Sequence, residues 1–525
     1  MMEAQELSVE ERRKRVFQLT ASDSRELPYR QASSFIFILI ILIFGIPLWW
    51  HTTSTYRVSF SNFSPNQRMK IPIFIKIGIL RGIANSSFAL AADSLVEVLE
   101  DLPRIERLDL AYSTEVFFLD AEDDMQTVVA DENKFNIYLV LVDDGRWRYG
   151  SNVMYFNAKW SVLKVDNNSE IVLQRMQNAV ADVLLDIGHL ATIIRRDLKK
   201  PLSPLEIAAL PLNQQKRLIW DSAALSAKYI IQIIVVHTDE EVFKESIFEA
   251  DEELRDAVLN IRRFAAKISG ITDLKISTEN LWDFSMSKWL EKDAFGNNSV
   301  KAQDVSNIIT KIDQQTSTVE SSAPLLKLVV FYGKKPIVLV DKTGAKLSSL
   351  VVASWGSVTF AGGEMSVSQS LVATLRVLLG LDTDLPPMSE RYPSPIAEWE
   401  LNRLKLRSFV DCSMNAMTSV QAIHNLVAQI DNIVINDQVA EIAGTAVHLI
   451  EKALKIAEET GRIEVGMAVE GRVLADQAVN DQSLLALLYF PNDQKFAVYL
   501  PLFLPTLLPI FGSIIAFYKR WKGIT

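Results

Sequence analysis

The chain of 525 residues is long enough for two or three domains, and its 49% apolar content is sufficient for a sizeable core. Its net charge of -10 argues against a nucleic-acid-binding protein, because such proteins need basic patches. Cys412 is the only cysteine, so no intrachain disulfide can form. Cysteine usage alone would favour the cytosol, whereas the topology and the glycosylation sequons discussed below favour the secretory pathway.

The first long apolar segment runs from Ala32 to Trp50, 19 residues without a charge. It ends on two tryptophans, which is typical of the aromatic belt at a membrane interface. A cleaved signal peptide is the alternative, but its apolar region usually has about 7–15 residues. We therefore predict a retained transmembrane helix over residues 32–50, after a loose polar tail over residues 1–31 in which Val9 to Leu19 could form a short helix.

A second apolar segment, Phe496 to Tyr518, has 23 residues without a charge and is followed by Lys519, Arg520 and Lys522. At about 1.5 Å per residue a helix of this length spans roughly 34 Å, enough to cross a hydrocarbon core of about 30 Å. The sequence therefore predicts a second transmembrane helix over residues 496–518 and a short tail over residues 519–525.

Three prolines, Pro501, Pro505 and Pro509, recur at every fourth position of this second segment, so they share one stripe of a helix. Each proline leaves the carbonyl four residues before it without a donor, which is costly in hydrocarbon. Two interpretations follow. The segment is either a bent anchor whose kinks are absorbed locally, or it presents a stripe that binds a partner helix or a polar lipid.

The charges beside the two segments predict the topology. Six Lys and Arg residues precede the first segment and three follow the second, so both chain ends are expected in the cytosol. Residues 51–495 then lie in the lumen. Four Asn-x-Ser sequons fall in this region, and the first of them, at Asn62, is followed by a proline that commonly hinders transfer. The other three, at Asn85, Asn167 and Asn297, are the predicted glycosylation sites.

Residues 51–390 alternate between strand and helix patterns, which predicts an α/β body with one or two mixed sheets. The strand of residues 336–340 is expected to pair with Leu325–Tyr332 around Gly333. The predicted strands are Met69–Leu80, Ile137–Val142, Tyr229–Val236, Leu325–Tyr332, Pro336–Val340 and Leu350–Phe360. The predicted helices are Phe88–Leu102, Glu170–Ile194, Glu240–Ala266 and Val367–Leu379, the last with Gly380 as its C-cap.

Residues 391–495 are predicted to form a lumenal helical section. Ser394 followed by Pro395 resembles an N-cap with proline in the first turn. Two apolar stripes at helical spacing follow, from Val420 to Val434 and from Val439 to Ile456, and such stripes usually pack into a core.

The sequence contains no recognisable catalytic signature, so we predict no catalytic, cofactor or metal site. His424 and His448 lie in predicted helices and are expected to be surface or satisfied core residues. Cys412 lies in a helical stretch with no turn to expose its sulfur, which favours a buried inert thiol over a nucleophile. The acidic clusters Glu122–Asp124 and Asp143–Asp144 are expected in solvated loops, with weak cation binding as the alternative.

Four blocks of this sequence carry a resemblance to a known family. They are Gly45–Trp50 with Thr52–Thr53 and Thr55–Arg57, Leu385–Pro387 with Trp399–Leu404, Asn432–Ile435 with Asp437 and Val439–Ala440, and Leu488–Pro505. Together they resemble the PIG-S family of subunits of the glycosylphosphatidylinositol (GPI) transamidase, the endoplasmic reticulum complex that attaches GPI anchors to proproteins. The likeness covers both apolar segments and the last quarter of the chain, and it is weak between about Leu110 and Leu325.

The resemblance implies a membrane subunit with two spans, cytosolic ends and a large lumenal α/β domain. It implies a non-catalytic scaffold whose partners are the catalytic subunit and the other membrane subunits, with catalytic residues on another chain. A role in positioning the proprotein or the GPI lipid is a weaker implication. The alternatives are a free-standing membrane receptor or chaperone and a lumenal hydrolase with an unrecognised constellation.

Overall fold

A computed structural model describes residues 28–522 of the chain. Besides short gaps of one or two residues, it leaves out residues 54–56, 81–96, 121–133, 156–158, 210–214, 216–224, 239–243, 293–297, 317–322, 333–335, 362–364, 382–394 and 486–491. The chain divides into two compact units, which we describe separately. The first consists of Met1–Phe60, Ile423–Glu441 and Val479–Thr525, and the second of Ser61–Ala422 and Ile442–Ala478.

The secondary structure alternates strands and helices up to residue 378 and is helical afterwards. The described strands are β1 (Met69–Leu80), β2 (Leu108–Leu119), β3 (Asn136–Val142), β4 (Val153–Tyr155), β5 (Trp160–Lys164), β6 (Lys228–His237), β7 (Asp273–Leu281), β8 (Glu291–Lys292), β9 (Asn298–Lys301), β10 (Leu325–Tyr332), β11 (Ile337–Val340), β12 (Lys346–Leu347), β13 (Ser349–Val352) and β14 (Gly356–Phe360).

The helices include π-helical segments at Ile41–Gly45 and Ala179–Leu184. The described α-helices are α1 (residues 32–53, which contains the first π segment), α2 (Ser169–Asn178), α3 (Ile187–Asp197), α4 (Pro204–Ala209), α5 (Lys244–Ile268), α6 (Val305–Gln315), α7 (Val367–Leu378), α8 (Glu398–Gln429), α9 (Asp437–Thr460), α10 (Val465–Val479), α11 (Gln482–Leu485) and α12 (Asn492–Trp521).

The second unit contains two five-stranded sheets. The first sheet has the order β2-β1-β3-β5-β4, and the second has the order β7-β6-β10-β14-β13. Neighbouring strands are parallel except at one edge of each sheet, where β4 and β13 run antiparallel to β5 and β14. All seven residues of β3 are buried, and its nearly continuous apolar sequence is typical of a strand covered on both faces.

The two sheets have the same topology. In each, the first strand lies between the second and the third, the fifth lies beyond the third, and the fourth forms the antiparallel edge. The chain therefore reverses its direction of winding between the first and third strands of each sheet. This is the switch point of a doubly wound fold, at β1 and β3 in one sheet and at β6 and β10 in the other.

A small third sheet, β12-β11-β9-β8, completes the strands of the second unit. Its strand β11 packs with α6 against the second five-stranded sheet, where Ile308, Ile312 and Leu339 share one apolar cluster with Phe331. These buried side chains hold the small sheet against the larger one.

Most predicted strands are confirmed, since β1 has the predicted bounds and β3, β6 and β10 agree within one residue at each end. The helix predicted from Val367 also forms, and Gly380 follows it at a φ of 75°. The mixed α/β body and the helical C-terminal section are both present. Of the predicted helix Phe88–Leu102, most lies outside the described residues.

Three predictions about pairing and continuity are wrong. The strand β11 does not pair with β10 but with β9 and β12, because it belongs to the small sheet. The predicted strand Leu350–Phe360 is a hairpin of β13 and β14. The predicted helix Glu170–Ile194 is interrupted by a π segment and by Asp186, whose left-handed backbone (φ 55°) begins α3.

The predicted N-cap at Ser394 is also not where the helix begins. The helix α8 begins at Glu398, and Pro395 lies before it in a bend. The residue that closes the first turn is Glu400, whose carboxylate accepts from the backbone N–H of Ala397 at 2.9 Å. The glutamate at the third helical position therefore accepts from the N–H of the residue before the helix, as the acidic residue of a capping box does.

The first unit contains α1 and α12, which include the two apolar segments. Counting only residues whose placement is described, no helix has both the length and the apolar content of a membrane span. Helix α12 is 30 residues long and continues through Pro501, Pro505 and Pro509.

Candidate functional site

Arg57 joins two of the four sequence blocks within the first unit. Its Nε donates to the carbonyl of Ile433 at 3.1 Å, and its Nη2 donates to the carbonyl of Ile430 at 2.8 Å. Its backbone forms a β-bridge with Ile435, and the N–H of Val58 donates to the same residue at 3.1 Å. The segment after α1 is therefore fixed to the segment before α9.

A buried ion pair joins another of these blocks, at the start of α8 in the second unit, to helix α7. The side chain of Glu400 is fully buried, and its carboxylate accepts two bonds from the guanidinium of Arg376 on α7, one of them at 3.0 Å. Arg376 also donates to the carbonyl of Pro395 at 3.0 Å. Because both charges are removed from water, this pair is sensitive to the loss of either partner.

Two further arginines of α8 donate to carbonyls at the ends of other elements. Arg403 donates to Val183 at 3.0 Å, and Arg407 donates to Gly380 at 3.2 Å. The guanidinium of Arg403 also lies 5.5 Å from the ring centre of Trp399, within the range of a cation–π contact. These contacts attach α8 to the π segment after α2 and to the end of α7.

A cavity of about 10 Å³ lies beside these arginines. It is lined by Leu185, Asp186, His189, Leu190, Gly380, Leu381, Arg403, Leu404 and Arg407. Its volume is enough for about one water molecule, and its polar side chains are buried. A substrate would not fit, so the cavity is part of the packing of α3 against α8.

A second buried charge cluster joins α3 to α8. Arg196 donates from Nε to Asp197 at 3.1 Å and from Nη2 to Asp411 at 2.5 Å. The side chain of Asp197 is 7% exposed, and its Oδ2 has no hydrogen-bond partner in the described part of the chain. Burial raises the pKa of the Asp197 carboxyl, Arg196 opposes the rise, and nearby Asp411 adds to it, so the pKa lies above its ordinary value.

The candidate nucleophile is buried, as the sequence predicts. Cys412 is 1% exposed on α8, and its Sγ lies 4.0 Å from the hydroxyl of Ser408. Burial raises the pKa of the thiol, although Arg472 opposes the rise. A thiol in these surroundings is a poor nucleophile. Among the described residues no group of His, Cys, Asp and Glu could hold a metal ion.

The carboxyl ends of the neighbouring strands β6 and β7 carry an aromatic pair that sequence reasoning missed. The ring of Trp282, which is 51% exposed, stacks on that of buried His237 at 3.9 Å. Thr238 closes the strand end by donating from its N–H and its hydroxyl to the carbonyl of Tyr332, both at 3.0 Å. Open α/β sheets commonly bind ligands at the switch point, here between β6 and β10, and the aromatic pair lies one strand away from it. Its sequence signal is a tryptophan directly after a strand.

The other predicted site residues are placed as follows. Asn85, Asn167 and Asn297 lie outside the described residues, as does the cluster Glu122–Asp124. Asn62 is described and exposed, and its side chain donates to Gln421 at 3.3 Å. The three prolines lie within α12 with exposed side chains. His448 is exposed, and His424 is half-buried against the ring of Phe60 at 4.4 Å.

These features define the structural class of the chain: an α/β protein with two sheets of the same doubly wound topology and with buried ion pairs. The family profile of the phosphatidylinositol-glycan biosynthesis class S proteins (PIG-S) matches residues 36–523. The chain belongs to this family.

Curated relatives carry a more specific name. The GPI-anchor transamidase component PIGS of Bos taurus is 24% identical over an alignment of 558 residues, which covers 96% of this chain and 98% of the relative. The protein of the same name from Mus musculus is 24% identical over an alignment of 553 residues with the same coverage. The one from Homo sapiens is 30% identical over 240 residues, 39% of this chain and 43% of the relative.

Proposed function

We propose that this chain is a non-catalytic subunit of the endoplasmic reticulum GPI transamidase that scaffolds the other subunits. The observation that carries the proposal is the end-to-end match to relatives named as components of that transamidase. A match over nearly the whole of both chains supports a shared role better than a match confined to one domain.

The absence of chemistry in this subunit is the second part of the proposal. The charged groups described above are engaged in packing: Glu400 with Arg376, and Asp411 with Arg196. The one thiol is buried with a raised pKa. We therefore propose that the catalytic residues of the complex lie on another subunit.

Membrane insertion through residues 32–50 and 496–518 is the third part. Both α1 and α12 carry large exposed apolar side chains on several sides, among them Phe44, Leu48, Leu508 and Ile515. A surface of this kind is stable in lipid and not in water. The flanking Lys and Arg residues support cytosolic ends and a lumenal body over residues 51–495.

The proposed partners are the catalytic subunit and the other membrane subunits of the transamidase, with no nucleic acid and no cofactor. Contact with the proprotein or the GPI lipid would be indirect or confined to the stripe of Pro501, Pro505 and Pro509. Within the membrane this stripe is proposed to face a partner helix or a lipid, because the carbonyls that it frees need donors.

Extraction in mild detergent from cells that express a tagged full chain tests the assignment. We expect a stable multi-subunit particle that transfers a GPI anchor to a proprotein, and Cys412→Ser should leave its activity unchanged. A chain that elutes alone, or with transient clients only, would favour a free-standing receptor or chaperone. Loss of activity in an assembled Cys412→Ser particle would overturn the non-catalytic part.

A further inference from the structure

The outermost strand of the first five-stranded sheet, β2, has a free edge. It pairs with β1 over twelve residues without a break, from Leu108 to Leu119. This is about twice the usual strand length of 5–6 residues. No strand in the described part of the chain pairs with the other side of β2. The first sheet therefore ends in a long row of backbone groups that can accept a further strand.

Two backbone hydrogen bonds show which residues of β2 point outward. The N–H of Met69 on β1 donates to the carbonyl of Arg107 at 2.8 Å, so the odd-numbered residues at β2 bond to β1. Successive residues direct their N–H and C=O groups to opposite sides of a strand, and the N–H of Leu108 accordingly donates away from β1, to Ile105 at 3.2 Å. Beyond it, the described residues supply no backbone partner for the outward groups of Leu110, Tyr112, Thr114, Val116 and Phe118.

The side chains of these outward residues continue an apolar face that begins on β1. On this face β1 carries four fully buried isoleucines, Ile71, Ile73, Ile75 and Ile77. Their neighbours in register on β2 are only half-buried, and Phe118 at the end of the row is 54% exposed. Burial of the face therefore decreases at β2, and a further strand beside β2 would bury the row.

The opposite face of β2 is polar and acidic. It carries the exposed residues Asp109, Ser113 and Glu115, and β2 contains no lysine or arginine. The side chain of Glu115 stays 69% exposed, although its carboxylate lies 3.6 Å from the ammonium of Lys76 on β1. Opposite charges on neighbouring strands stabilise a sheet, so basic side chains on an added strand would be favoured here.

The other described edges of the two sheets are less suited to a further strand. The edge strands β4 and β13 have only three and four residues. Strand β7 is longer, but its side chains at Thr278 and Asn280 are polar and exposed. Proteins commonly protect an exposed edge with lysine, proline or a bulge, and β2 has no lysine, no proline and an unbroken register with β1.

We propose that the outer edge of β2 binds an extended segment of another polypeptide by strand addition, and that this segment alternates apolar with basic side chains. Its backbone bonds to the outward groups between Leu110 and Phe118. Its apolar side chains continue the face of the isoleucines, and its basic side chains lie beside Asp109 and Glu115. The segment is assigned to another subunit of the transamidase, so this proposal rests on the proposed function.

A second copy of this chain is a less suitable occupant of the edge. Its own β2 would bring the carboxylates of Asp109 and Glu115 and no basic side chain. Like charges on neighbouring strands are destabilising. The acidic face therefore favours a partner of different sequence.

Amide hydrogen exchange resolved to single residues tests the proposal. The full chain purified alone in detergent is compared with the same chain in the multi-subunit particle. In the particle we expect the outward N–H groups of Tyr112, Thr114 and Val116 to exchange at least about tenfold more slowly. The inward N–H groups of Ser113 and Glu115 should change little, because they face β1 in both samples.

The variant Thr114→Pro removes the central outward donor and places a ring in the path of the added strand. Proline is tolerated at such a position on an edge strand, so the sheet should still form. We expect the slowing at Tyr112 and Val116 to disappear. The matched control is Thr278→Pro on β7, where the N–H of Asp273 donates to Ala227 at 2.9 Å, so that Thr278 points outward. This control should keep the slowing at β2.

The double variant Asp109→Lys/Glu115→Lys tests the charge of the partner and leaves the backbone of β2 intact. It also keeps the proposal testable if thermal unfolding shows that Thr114→Pro does not fold. Because both carboxylates become ammonium groups beside a basic segment, we expect the slowing at Tyr112 to decrease about threefold to tenfold.

Several results would overturn strand addition by a partner. Equal exchange of the outward N–H groups in the lone chain and the particle would show that no partner covers the edge. Slowing that appears in the lone chain as its concentration rises would assign the edge to a second copy. Slowing that survives in both folded variants would show that another kind of contact protects it. A chain that never assembles would overturn the proposed function as well, whereas an active particle without slowing rejects strand addition alone.

Discussion

Individual charged residues of α8 are buried because each one meets a partner that its helix cannot provide. Glu400 is fully buried and pairs with Arg376 of α7, while its cap bond to Ala397 also orders the first turn. Charged side chains are almost never fully buried unless they are paired. The free-energy consequence is therefore set by the pair as a whole.

We expect Glu400→Ala to lower the free energy of unfolding by about 3–5 kcal/mol, because it leaves the Arg376 guanidinium buried without its carboxylate. Chemical denaturation of the full chain in detergent measures the change. Glu458→Ala is the matched control, since Glu458 forms a half-exposed pair with Lys70 at 3.1 Å and its loss should cost about 1 kcal/mol or less.

The double variant Arg376→Leu/Glu400→Leu separates the cost of an unpaired buried charge from the loss of the cap and of packing. Removal of both charges should recover most of the stability lost in the single variant, because no unpaired charge remains. A double variant as unstable as Glu400→Ala would show that the cap and the packing dominate, not the buried charge.

Asp197 predicts a pH dependence with a definite sign. Burial raises its folded-state pKa above the unfolded value of about 3.9, so the folded chain binds the proton more tightly than the unfolded chain. Below the unfolded pKa the carboxyl is protonated in both states, so its titration does not change the free energy of unfolding there. As the pH rises from there towards the folded pKa, this carboxyl progressively destabilises the fold.

The variant Asp197→Asn should therefore gain stability relative to the unmodified chain as the pH rises above about 4, and the difference should become constant above the folded pKa. Thermal unfolding at a series of pH values measures the difference. A constant difference across the whole series would mean that the carboxyl does not titrate in this range.

At the scale of elements, the turn between β13 and β14 shows how one residue specifies a hairpin. Gly356 has a φ of 151°, and a Cβ atom there would lie 1.8 Å from the carbonyl oxygen of Lys327 on β10. Ser354, which lies in the turn between the two strands, also has a positive φ of 60°. The close approach of two strands therefore requires glycine at this position.

We expect Gly356→Ala to destabilise the chain by more than about 3 kcal/mol, because β14 must move away from β10 to admit the methyl group. Gly344→Ala tests strain alone, since Gly344 has a φ of 82° but open space around it, and should cost about 1–2 kcal/mol. Equal losses in the two variants would show that backbone strain, not the contact with Lys327, sets the cost.

The same hairpin shows where sequence reasoning stops. Buried strands such as β1 and β3 are predictable, because apolar β-branched runs are local features. The pairing of β11 is not, because it depends on β9, which lies nearly forty residues away along the chain. The hairpin had a local signal in Gly356, but a strand pattern with one glycine also fits a continuous strand.

The residues of the candidate site were likewise predictable only in part. The block Trp399–Leu404 marked an important stretch, but the burial of Glu400 and Arg403 depends on residues from α7 and from the π segment after α2. Similarly, no local pattern places Trp282 on His237, because β6 and β7 meet only in the folded sheet. Motifs locate such residues, whereas the fold supplies their partners.

At the scale of the whole molecule, the two five-stranded sheets repeat one topology, so the chain has two sets of equivalent sheet edges and strand ends. Each sheet presents strand ends at a switch point, and in the second sheet the exposed Trp282 follows the neighbouring edge strand β7. A large body with duplicated edges and ends suits a protein that contacts several partners, consistent with the proposed scaffold.

The topology of the whole chain makes a countable prediction. If residues 51–495 lie in the lumen, Asn85, Asn167 and Asn297 meet the oligosaccharide transferase, whereas a cytosolic body would carry no glycan. Treatment with endoglycosidase H should shift the full chain by three glycan steps on a gel, and each single Asn→Gln variant should remove one step.

Asn62→Gln should leave the pattern unchanged, because Pro65 follows its sequon and its side chain already bonds Gln421. A chain with no shift would place the body on the cytosolic side and overturn the two-span topology, because that topology requires all three sequons to face the same compartment.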